Sequence, residues 1–404
     1  MTPYRRRHEL PPSAGLPLRL VDLCPNRAVL TDTVAAQIES SPLVLTCSGS
    51  AALMIALRTL HGMLPRRHRV IVPAWTCPLV ALAIHQVGLQ PVPCDLKPGH
   101  YDFEPHALRA VCDERTLAVM PTHLAGRIAD VNEAMTVANN VGAFVIEDAA
   151  QALGARSGKA SVGLTGDIGF FSLAVGKGLS IYEGGLLTSR DPDLHERLTH
   201  VAAKVVPTSL HWELRRSCEL LGYAALYRPR GLNLAYGLPL RRALQRGDLV
   251  AAVGDDFGLP LPLHVVGRWR QSVGARAATR LPGFLVRCTN RAHTHLSRLA
   301  AIPGVTVWDD PPGACGTWPF FMLMLPDRQR RDSALDQLWR SGLGVSRLFI
   351  HALPDYDYLS GIVPASNVPN ARDTAARSLT IGNSRWLTND DMDRICHVLD
   401  HTCR

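Results

Sequence analysis

The sequence has no uncharged apolar run of the roughly 20 residues that a helix needs to cross a bilayer. Its first residues, MTPYRRRHELPPSAG, are basic, but Pro and Ser follow where a secretory signal would place an apolar stretch. These two absences predict a cytoplasmic protein without a membrane span.

The ten cysteines include no CxxC pair and have no histidine partners at zinc-binding spacing. They are scattered from Cys24 to Cys403, which is typical of reduced and mostly buried thiols. The sequence therefore predicts neither a disulfide framework nor a metal site.

Aromatic residues make up only 6% of the chain and are not interleaved with its basic clusters. The net charge of +8 could suit nucleic acid, but the clusters YRRRH, PRRHR, LRRALQR and DRQRR are short and far apart. Solvated surface is the favoured interpretation, so no nucleic-acid partner is predicted. A basic surface does suit a small anionic substrate such as a nucleotide diphosphate.

What the sequence does contain is an ordinary globular composition, with 47% hydrophobic residues over 404 positions. That length suggests two or three domains. We predict a large domain over residues 1–204, a helical connecting region over 205–284 and a small C-terminal domain over 285–404.

Strands and helices alternate along the first half of the chain. Buried strands are predicted at 69–75, 90–96, 116–124, 143–150 and 184–190. Helical patterns lie between them and close at Gly62, Gly88 and Gly142, and Asp130 is a predicted N-cap. This alternation predicts an α/β fold with a mainly parallel sheet between helical layers, whose ligands lie at the carboxyl ends of the strands.

Three weak signals fall at those strand ends. The stretch VLTCSGSAAL places Ser48, Gly49 and Ser50 before a helix, where free N–H groups can hold a phosphate, although such turns are common. Asp148 ends an apolar strand, where an unpaired carboxylate is costly, although it could simply cap the next helix. Lys177 is the one basic residue of GFFSLAVGKGLSIYEGG, where a helix-end lysine would be the ordinary explanation.

Taken together, the three signals match the needs of one cofactor. Pyridoxal phosphate requires an anion cradle, a carboxylate that keeps its ring nitrogen protonated, and a lysine that bonds to its aldehyde. By contrast, GARSGKAS at 154–161 resembles a nucleotide-binding P-loop only superficially, because its glycine spacing is too short and Ala160 replaces the hydroxyl residue.

The sequence resembles the DegT/DnrJ/StrS sugar aminotransferases, a branch of the fold-type I pyridoxal phosphate enzymes. The segments that carry the resemblance are SGSAAL, VPAWTCPLVALAIHQVGLQPVPCDL, THLAG, VIEDAAQALGA, FFSLAVGKGLSIYEGGLLTS and SGLGVSRLFIHALPDY. The resemblance covers residues 43–204 well and 285–400 more loosely. It implies a three-layer sheet of the aspartate-aminotransferase type, with a smaller C-terminal α+β domain.

The resemblance also implies roles for individual residues. Lys177 would bond to the cofactor and move the proton, and Asp148 would pair with the ring nitrogen. Gln151 would reach the ring hydroxyl, and Trp75 is the aromatic closest to the position that stacks on the ring in relatives. The residues implied to bind the phosphate are Gly49, Ser50 and Ser172.

By the same resemblance, the amino donor would be L-glutamate, the acceptor a keto sugar linked to a nucleotide diphosphate, and the protein a homodimer with shared active sites. The lysine at position 177 argues against the sugar-dehydrating branch, which has histidine there. Two alternatives stay open: a non-sugar ketone as acceptor, or a cofactor-binding sensor without catalysis.

Two further features leave their roles open. The segment within 205–284 around Trp212, Tyr223 and Tyr227 is apolar on more than one helical face, which suits a dimer contact or linker, or a pocket for an acceptor with an apolar portion. His293 and His295 lie two positions apart on a predicted helix and should face different sides. His123 and His351 are pocket-facing or structural.

Overall fold

The computed structural model describes residues 4–40 and 42–404. Its main sheet has seven strands in the order β1-β9-β8-β5-β4-β2-β3. Only β9 runs antiparallel to its neighbours. The strands are β1 Val44–Thr46, β2 Arg69–Pro73, β3 Gln90–Cys94, β4 Thr116–Val119, β5 Phe144–Asp148, β8 Ile168–Ser172 and β9 Gly185–Thr188.

Helices cover both faces of this sheet, as the alternating side chains of β2 demonstrate. Val70 and Val72 belong to the large apolar core that includes the helix after β1, whereas Ile71 packs with Val137 on the other side. A strand buried on both faces needs a continuous apolar sequence, and RVIVP supplies one. The expected three-layer α/β architecture is confirmed.

The helices around the main sheet follow most of the predicted signals, although α2 runs past the predicted end at Gly62 to Met63. Ser48 caps α2, Pro78 opens α3, Asp130 accepts from the Glu133 N–H at the start of α5, and Gly142 ends α5 in the left-handed conformation. The helices are α1 Leu30–Ile38, α2 Gly49–Met63, α3 Pro78–Gln86, α4 Pro105–Val111, α5 Val131–Val141 and α6 Pro192–Val205.

A second, antiparallel sheet of four strands forms the C-terminal α+β unit, in the order β10-β12-β14-β13. Its elements are β10 Thr306–Val307, β12 Phe320–Met324, β13 Val345–Ser346, β14 Ser378–Gly382, α13 Arg328–Leu338, α14 Pro369–Arg377 and α15 Asn389–Cys403. A third, small sheet joins β6 Arg156–Ser157 and β7 Ala160–Ser161 to β11 Ala314–Cys315. Residues 154–161 are thus mainly a hairpin and not a phosphate loop.

Helices fill most of the region predicted to connect the two sheets. They are α7 Leu210–Leu226, α8 Pro229–Leu232, a π-helical turn Asn233–Gly237, α9 Leu238–Gln245, α10 Leu249–Val253, α11 Arg268–Ala278 and the long α12 Leu281–Ala300. The domain boundaries at residues 204 and 284 stay a prediction.

The predicted strand over 116–124 is wrong in length, because β4 stops at Val119 and a 3-10 turn begins at Leu124. Pro121, which has no N–H to donate to a neighbouring strand, lies between them. Strand β8 was absent from the sequence predictions. Its Gly169 weakens the strand pattern, yet any side chain there would overlap the backbone of Gly163.

The chain's first described residues lie across both sheets. The Leu10 N–H donates to the Gly342 carbonyl, the Ala14 N–H to Pro319 and the Leu16 N–H to Gly178. We call residues 10–16 the strap. Within residues 4–40 and 42–404, no helix is long and apolar enough to span a bilayer, and no cluster of metal-ligating side chains is found.

Candidate active site

Lys177 lies in the loop between β8 and β9 and lines a cavity at the carboxyl ends of the parallel strands. Gly176 and Gly178 have φ of +81° and +80°, which glycine adopts without strain. These two glycines let the loop turn tightly enough to present the lysine. The strap holds the loop from behind, because Ser13 Oγ donates to the Gly176 carbonyl at 2.5 Å.

Burial lowers the pKa of Lys177, because a desolvated ammonium is less stable than a solvated one, while Cys77, Asp148 and Asp255 oppose that shift. Within the described chain its amine forms no ion pair within 4 Å. Lys177 is therefore a partly desolvated amine that no carboxylate holds in place.

Asp148 ends β5 and also lines the cavity, with an exposed fraction of 5%. Burial raises the pKa of its carboxyl group, and the Ala150 N–H, which donates to Oδ1 at 3.0 Å, partly opposes this. No other protein donor reaches this carboxylate within the described residues. The group is thus available to a cationic or protonated partner inside the cavity.

The neighbouring Glu147 is also buried, but, unlike Asp148, both of its carboxylate oxygens accept several hydrogen bonds. It accepts from the N–H groups of Gly163, Thr165 and Gly166, and pairs with His123 Nε2 at 2.9 Å. Burial alone would raise the pKa of Glu147, but these donors hold it below its usual value. His123 lines the cavity while Nδ1 accepts from the Ala129 N–H, so its ring is fixed on both sides.

The residues predicted to form the first part of an anion cradle, Ser48, Gly49 and Ser50, lie at the start of α2. Ser48 Oγ accepts from the Ala51 N–H, which leaves the N–H groups of Gly49 and Ser50 at the free end of the helix. Gly49 lies close to Ser172, since a Cβ at position 49 would stand 3.3 Å from Ser172 Cβ. Ser48, Gly49, Ser50 and Ser172 line the same cavity as Lys177.

Gln151 is oriented by one hydrogen bond, in which the Ala125 N–H donates to its Oε1 at 2.8 Å. Its amide nitrogen is left free to donate, and the residue lines the cavity. Thr76 and Thr122, which the sequence analysis did not select, also line the cavity, and their hydroxyls are buried without a partner in the described residues. Unsatisfied hydroxyls at a cavity wall are what a polar ligand would satisfy.

Trp75 does not line this cavity. Its ring is buried edge-on against Trp308 and Phe349, with centroids 6.1 and 5.4 Å away. The predicted contact between Trp75 and a cofactor is therefore not supported, because the side chain packs into a separate apolar cluster. Cys77 and Phe349 line the cavity instead.

The connecting region closes one side of the cavity, which the sequence did not reveal. Leu261 and Pro262 form part of the wall, and the Gln86 side chain fixes Leu261 by donating to its carbonyl and accepting from its N–H. Asp255 lies behind this wall and accepts from Tyr356 Oη at 2.6 Å. Burial raises the pKa of Asp255 to about 6.

Helix α7 reaches the same site through Glu183, which also lines the cavity. Arg216 of α7 forms an ion pair with Glu183, and the fully buried Arg270 donates to the Glu183 carbonyl at 2.7 Å. Arg270 also donates to Glu213 through Nε and Nη2. Glu183 is therefore held at the cavity wall by groups from both α7 and α11.

The remaining histidines do not join the site. His293 is exposed and His295 is buried, so they face different sides of α12 as predicted. His351 stacks edge-on with Tyr356, outside the cavity lining.

Comparison with known proteins shows which chains this one is similar to. Residues 23–215 match the sequence profile of the DegT/DnrJ/EryC1/StrS aminotransferase family. A relative from Streptomyces venezuelae, the dTDP-3-amino-3,4,6-trideoxy-alpha-D-glucose transaminase, is 28% identical over 349 residues. The matched part is 86% of this chain and 79% of that protein.

Solved structures share the fold. DesI, crystallised in the presence of its TDP-sugar product, superposes with a TM-score of 0.73 at 21% identity, covering 100% of this chain and 95% of that one. An E. coli GDP-4-keto-6-deoxy-D-mannose-3-dehydratase with bound hydrated PLP gives a TM-score of 0.69 at 18% identity, covering 92% and 90%. At these identities the likeness establishes the architecture.

Proposed function

We propose that this chain, whose residues 23–215 match the DegT/DnrJ/EryC1/StrS aminotransferase family, is a pyridoxal phosphate-dependent transaminase that makes an amino sugar. Its donor is L-glutamate, and its acceptor is a keto sugar linked to a nucleotide diphosphate. The observation that carries the proposal is that Lys177, Asp148, Ser50 and Ser172 line one cavity.

The residues present fit this cofactor. The free N–H groups of Gly49 and Ser50, together with the Ser172 hydroxyl, would hold its phosphate at the positive end of α2. Asp148 would hold a proton on the ring nitrogen, and the free amide of Gln151 would donate to the ring hydroxyl. When bound, the cofactor supplies an electron-withdrawing ring that stabilises negative charge at the carbon losing its proton.

Lys177 would bond covalently to the cofactor and, once released by the amino donor, act as the base. Because burial lowers its pKa, a larger fraction of the free amine is neutral and able to accept a proton.

The nucleotide-linked acceptor is supported by the relatives and by the charge of the chain. The Streptomyces venezuelae relative is named for a dTDP-linked amino sugar, and DesI was crystallised with a TDP-sugar product. The net charge of +8 favours encounter with such an anion.

We also propose that the chain works as a homodimer. Helix α7 exposes Leu210, Leu214 and Leu221, of which Leu210 is 73% exposed. With exposed Cys218 and Ala225, the spacing along 214, 218, 221 and 225 is the four-three-four pattern of helix pairing. We call these five residues the α7 stripe.

The catalytic proposal is tested by the visible spectrum of the purified protein. We expect a yellow holoenzyme whose absorbance changes on addition of L-glutamate, and borohydride treatment should attach the cofactor to Lys177. The chain has only four lysines, so peptide mapping is unambiguous. Lys177→Ala should lose both signals, whereas Lys159→Ala, at an exposed position, should keep them.

The outcomes separate the hypotheses. A colourless protein that cannot be loaded with pyridoxal phosphate would refute the proposal. A yellow protein that ignores every amino donor would instead support a cofactor-binding sensor. If glutamate reacts, comparing a dTDP-linked keto sugar with an unlinked cyclic ketone identifies the acceptor class.

A further inference from the structure

A second cavity lies outside the Lys177 site, between the segment after the strap, the end of α7, the start of α12 and the turn before α15. Its volume is about 970 Å³, within the roughly 300–1,000 Å³ typical of small-molecule sites. We call it the arginine cavity. Six of its lining residues are arginines: Arg19, Arg228, Arg280, Arg287, Arg291 and Arg385.

Most of these guanidinium groups are unpaired. Arg280 pairs with Asp22, and Arg291 donates to the Asn383 carbonyl at 3.1 Å. Within residues 4–40 and 42–404, the side chains of the other four arginines form no hydrogen bond or ion pair, and no carboxylate lines the cavity. The cavity therefore concentrates positive charge without internal neutralisation.

The positive groups are close enough to affect one another. Burial lowers the pKa of Arg280, and the neighbouring charges of Arg19 and Arg287 lower it further against the opposing effect of Asp22. The Nε atoms of Arg280 and Arg291 are also buried without an acceptor in the described chain. Like charges gathered around a concave surface repel each other, and a bound anion would relieve that repulsion.

The other side of the cavity is apolar and aromatic. Tyr227 and Phe284 are buried in its wall, and Trp386 packs edge-on against Tyr227 at 5.7 Å. Arg385 lies 6.0 Å from the Trp386 ring centre. A ligand matching both sides would combine several negative oxygens with a flat or apolar group.

The cavity is connected to the Lys177 loop through the strap. Tyr227 Oη accepts from the Gly15 N–H at 2.8 Å and donates to the Ser13 carbonyl at 3.1 Å. The strap in turn bonds to Gly176 and Gly178 on either side of Lys177. One layer of backbone therefore separates the aromatic wall from the catalytic loop.

We propose that the arginine cavity binds the diphosphate group of a molecule that also carries a flat ring, such as a nucleoside diphosphate. Arginine forks match phosphate oxygens in pairs, so the four unpaired guanidiniums can satisfy two adjacent phosphates. The aromatic wall would then receive the base.

Such a ligand has two possible sources. It is either the nucleotide part of the sugar substrate or a free nucleoside diphosphate that acts as an effector. The first source rests on the proposed function, whereas binding to the cavity does not, so the two are measured separately.

The binding test uses calorimetric titration of the holoenzyme with dTDP and with inorganic pyrophosphate. Arg287→Ala/Arg385→Ala removes two exposed, unpaired guanidiniums, and Arg242→Ala/Arg246→Ala removes the same charge from exposed positions of α9 and the residue after it. We expect the first variant to raise the Kd for dTDP about tenfold or more and the second to stay within about twofold. Wild-type binding should weaken as salt rises.

Equal dTDP affinity in wild type and Arg287→Ala/Arg385→Ala would overturn the proposal, as would equal losses in both variants or no wild-type binding. The source is assigned by kinetics. A raised KM for the dTDP-linked sugar, with an unchanged glutamate reaction, identifies the substrate's nucleotide. An unchanged KM with lost dTDP binding identifies an effector.

Discussion

Asp255 is a buried carboxyl group that no sequence pattern marks, yet its charge acts on Lys177. It is 4% exposed and accepts from Tyr356 Oη and the Ile350 N–H. Because burial raises its pKa to about 6, the folded protein holds this proton more tightly than the unfolded chain does. Its contribution to stability is present at low pH and is lost as the pH rises through about 6.

Asp255→Asn, which is neutral at every pH, should isolate this effect. The free energy of unfolding of wild type relative to the variant should fall by roughly 1 to 1.5 kcal/mol between about pH 5 and 7.5. Urea unfolding at both pH values measures it. A difference that does not change with pH would show that the Asp255 pKa is not raised.

Asp148 permits a sharper test of the chemistry. Asp148→Asn keeps the shape of the side chain but cannot hold a proton on the ring nitrogen of the cofactor. We expect the reaction with L-glutamate to slow by about 100-fold or more. Stopped-flow absorbance measures the rate, and Asp193→Asn, an exposed acid on α6, is the matched control. A normal rate in Asp148→Asn would exclude the assigned role.

Among individual residues, the sequence predicted those whose side chains the proposed cofactor requires. Lys177, Asp148, Gln151 and the serine cradle were predicted, and all line one cavity. Trp75 was predicted to contact the cofactor, but its side chain packs in a separate apolar cluster, whereas Thr76, one position later, lines the cavity. Thr76, Thr122 and Asp255 carry no distinctive pattern, so their burial became visible only in the structure.

At the scale of secondary-structure elements, one buried arginine of α11 links this helix to α7. Arg270 has no exposed surface and donates to Glu213 of α7 and to the Glu183 carbonyl beside the site. A buried pair that loses one member leaves the other charge without compensation.

Arg270→Met should therefore lower the free energy of unfolding by about 3–5 kcal/mol. Arg215→Met, which breaks the more exposed pair with Glu219 on α7, should cost no more than about 1 kcal/mol. Urea denaturation of both variants gives the comparison. Equal losses would mean that Arg270 is not the link between the helices.

The elements of the main sheet were predictable because period, capping residues and closing glycines agree there. Helices α7 to α10 were harder to predict, because their apolar residues cover more than one helical face. The strap packs against part of that apolar surface. A sequence pattern shows that such a face is covered, but it does not show by what.

For the whole molecule, the homodimer proposal makes a direct prediction about mass. Leu214→Glu/Leu221→Glu places two charges on the α7 stripe and should shift the chain from dimer to monomer, because buried unpaired carboxylates oppose association. Light scattering measures the mass, and far-UV circular dichroism checks the fold. Glu substitutions at Leu234 and Leu249, which are exposed outside the stripe, provide the control. An unchanged dimer would exclude the stripe as its contact.

The strap, and Arg6 just before it, form contacts that are completed late in the synthesis of the chain. Arg6 donates to the Trp386 carbonyl, 380 positions further along the chain, and Leu10 donates to Gly342. These two residues thus leave the ribosome long before their partners at positions 342 and 386 are made. Contacts of such high order form late in folding. The segment behind the Lys177 loop is therefore fully fixed only after residues 342 and 386 have been made, so a nascent chain that lacks them is not expected to be active.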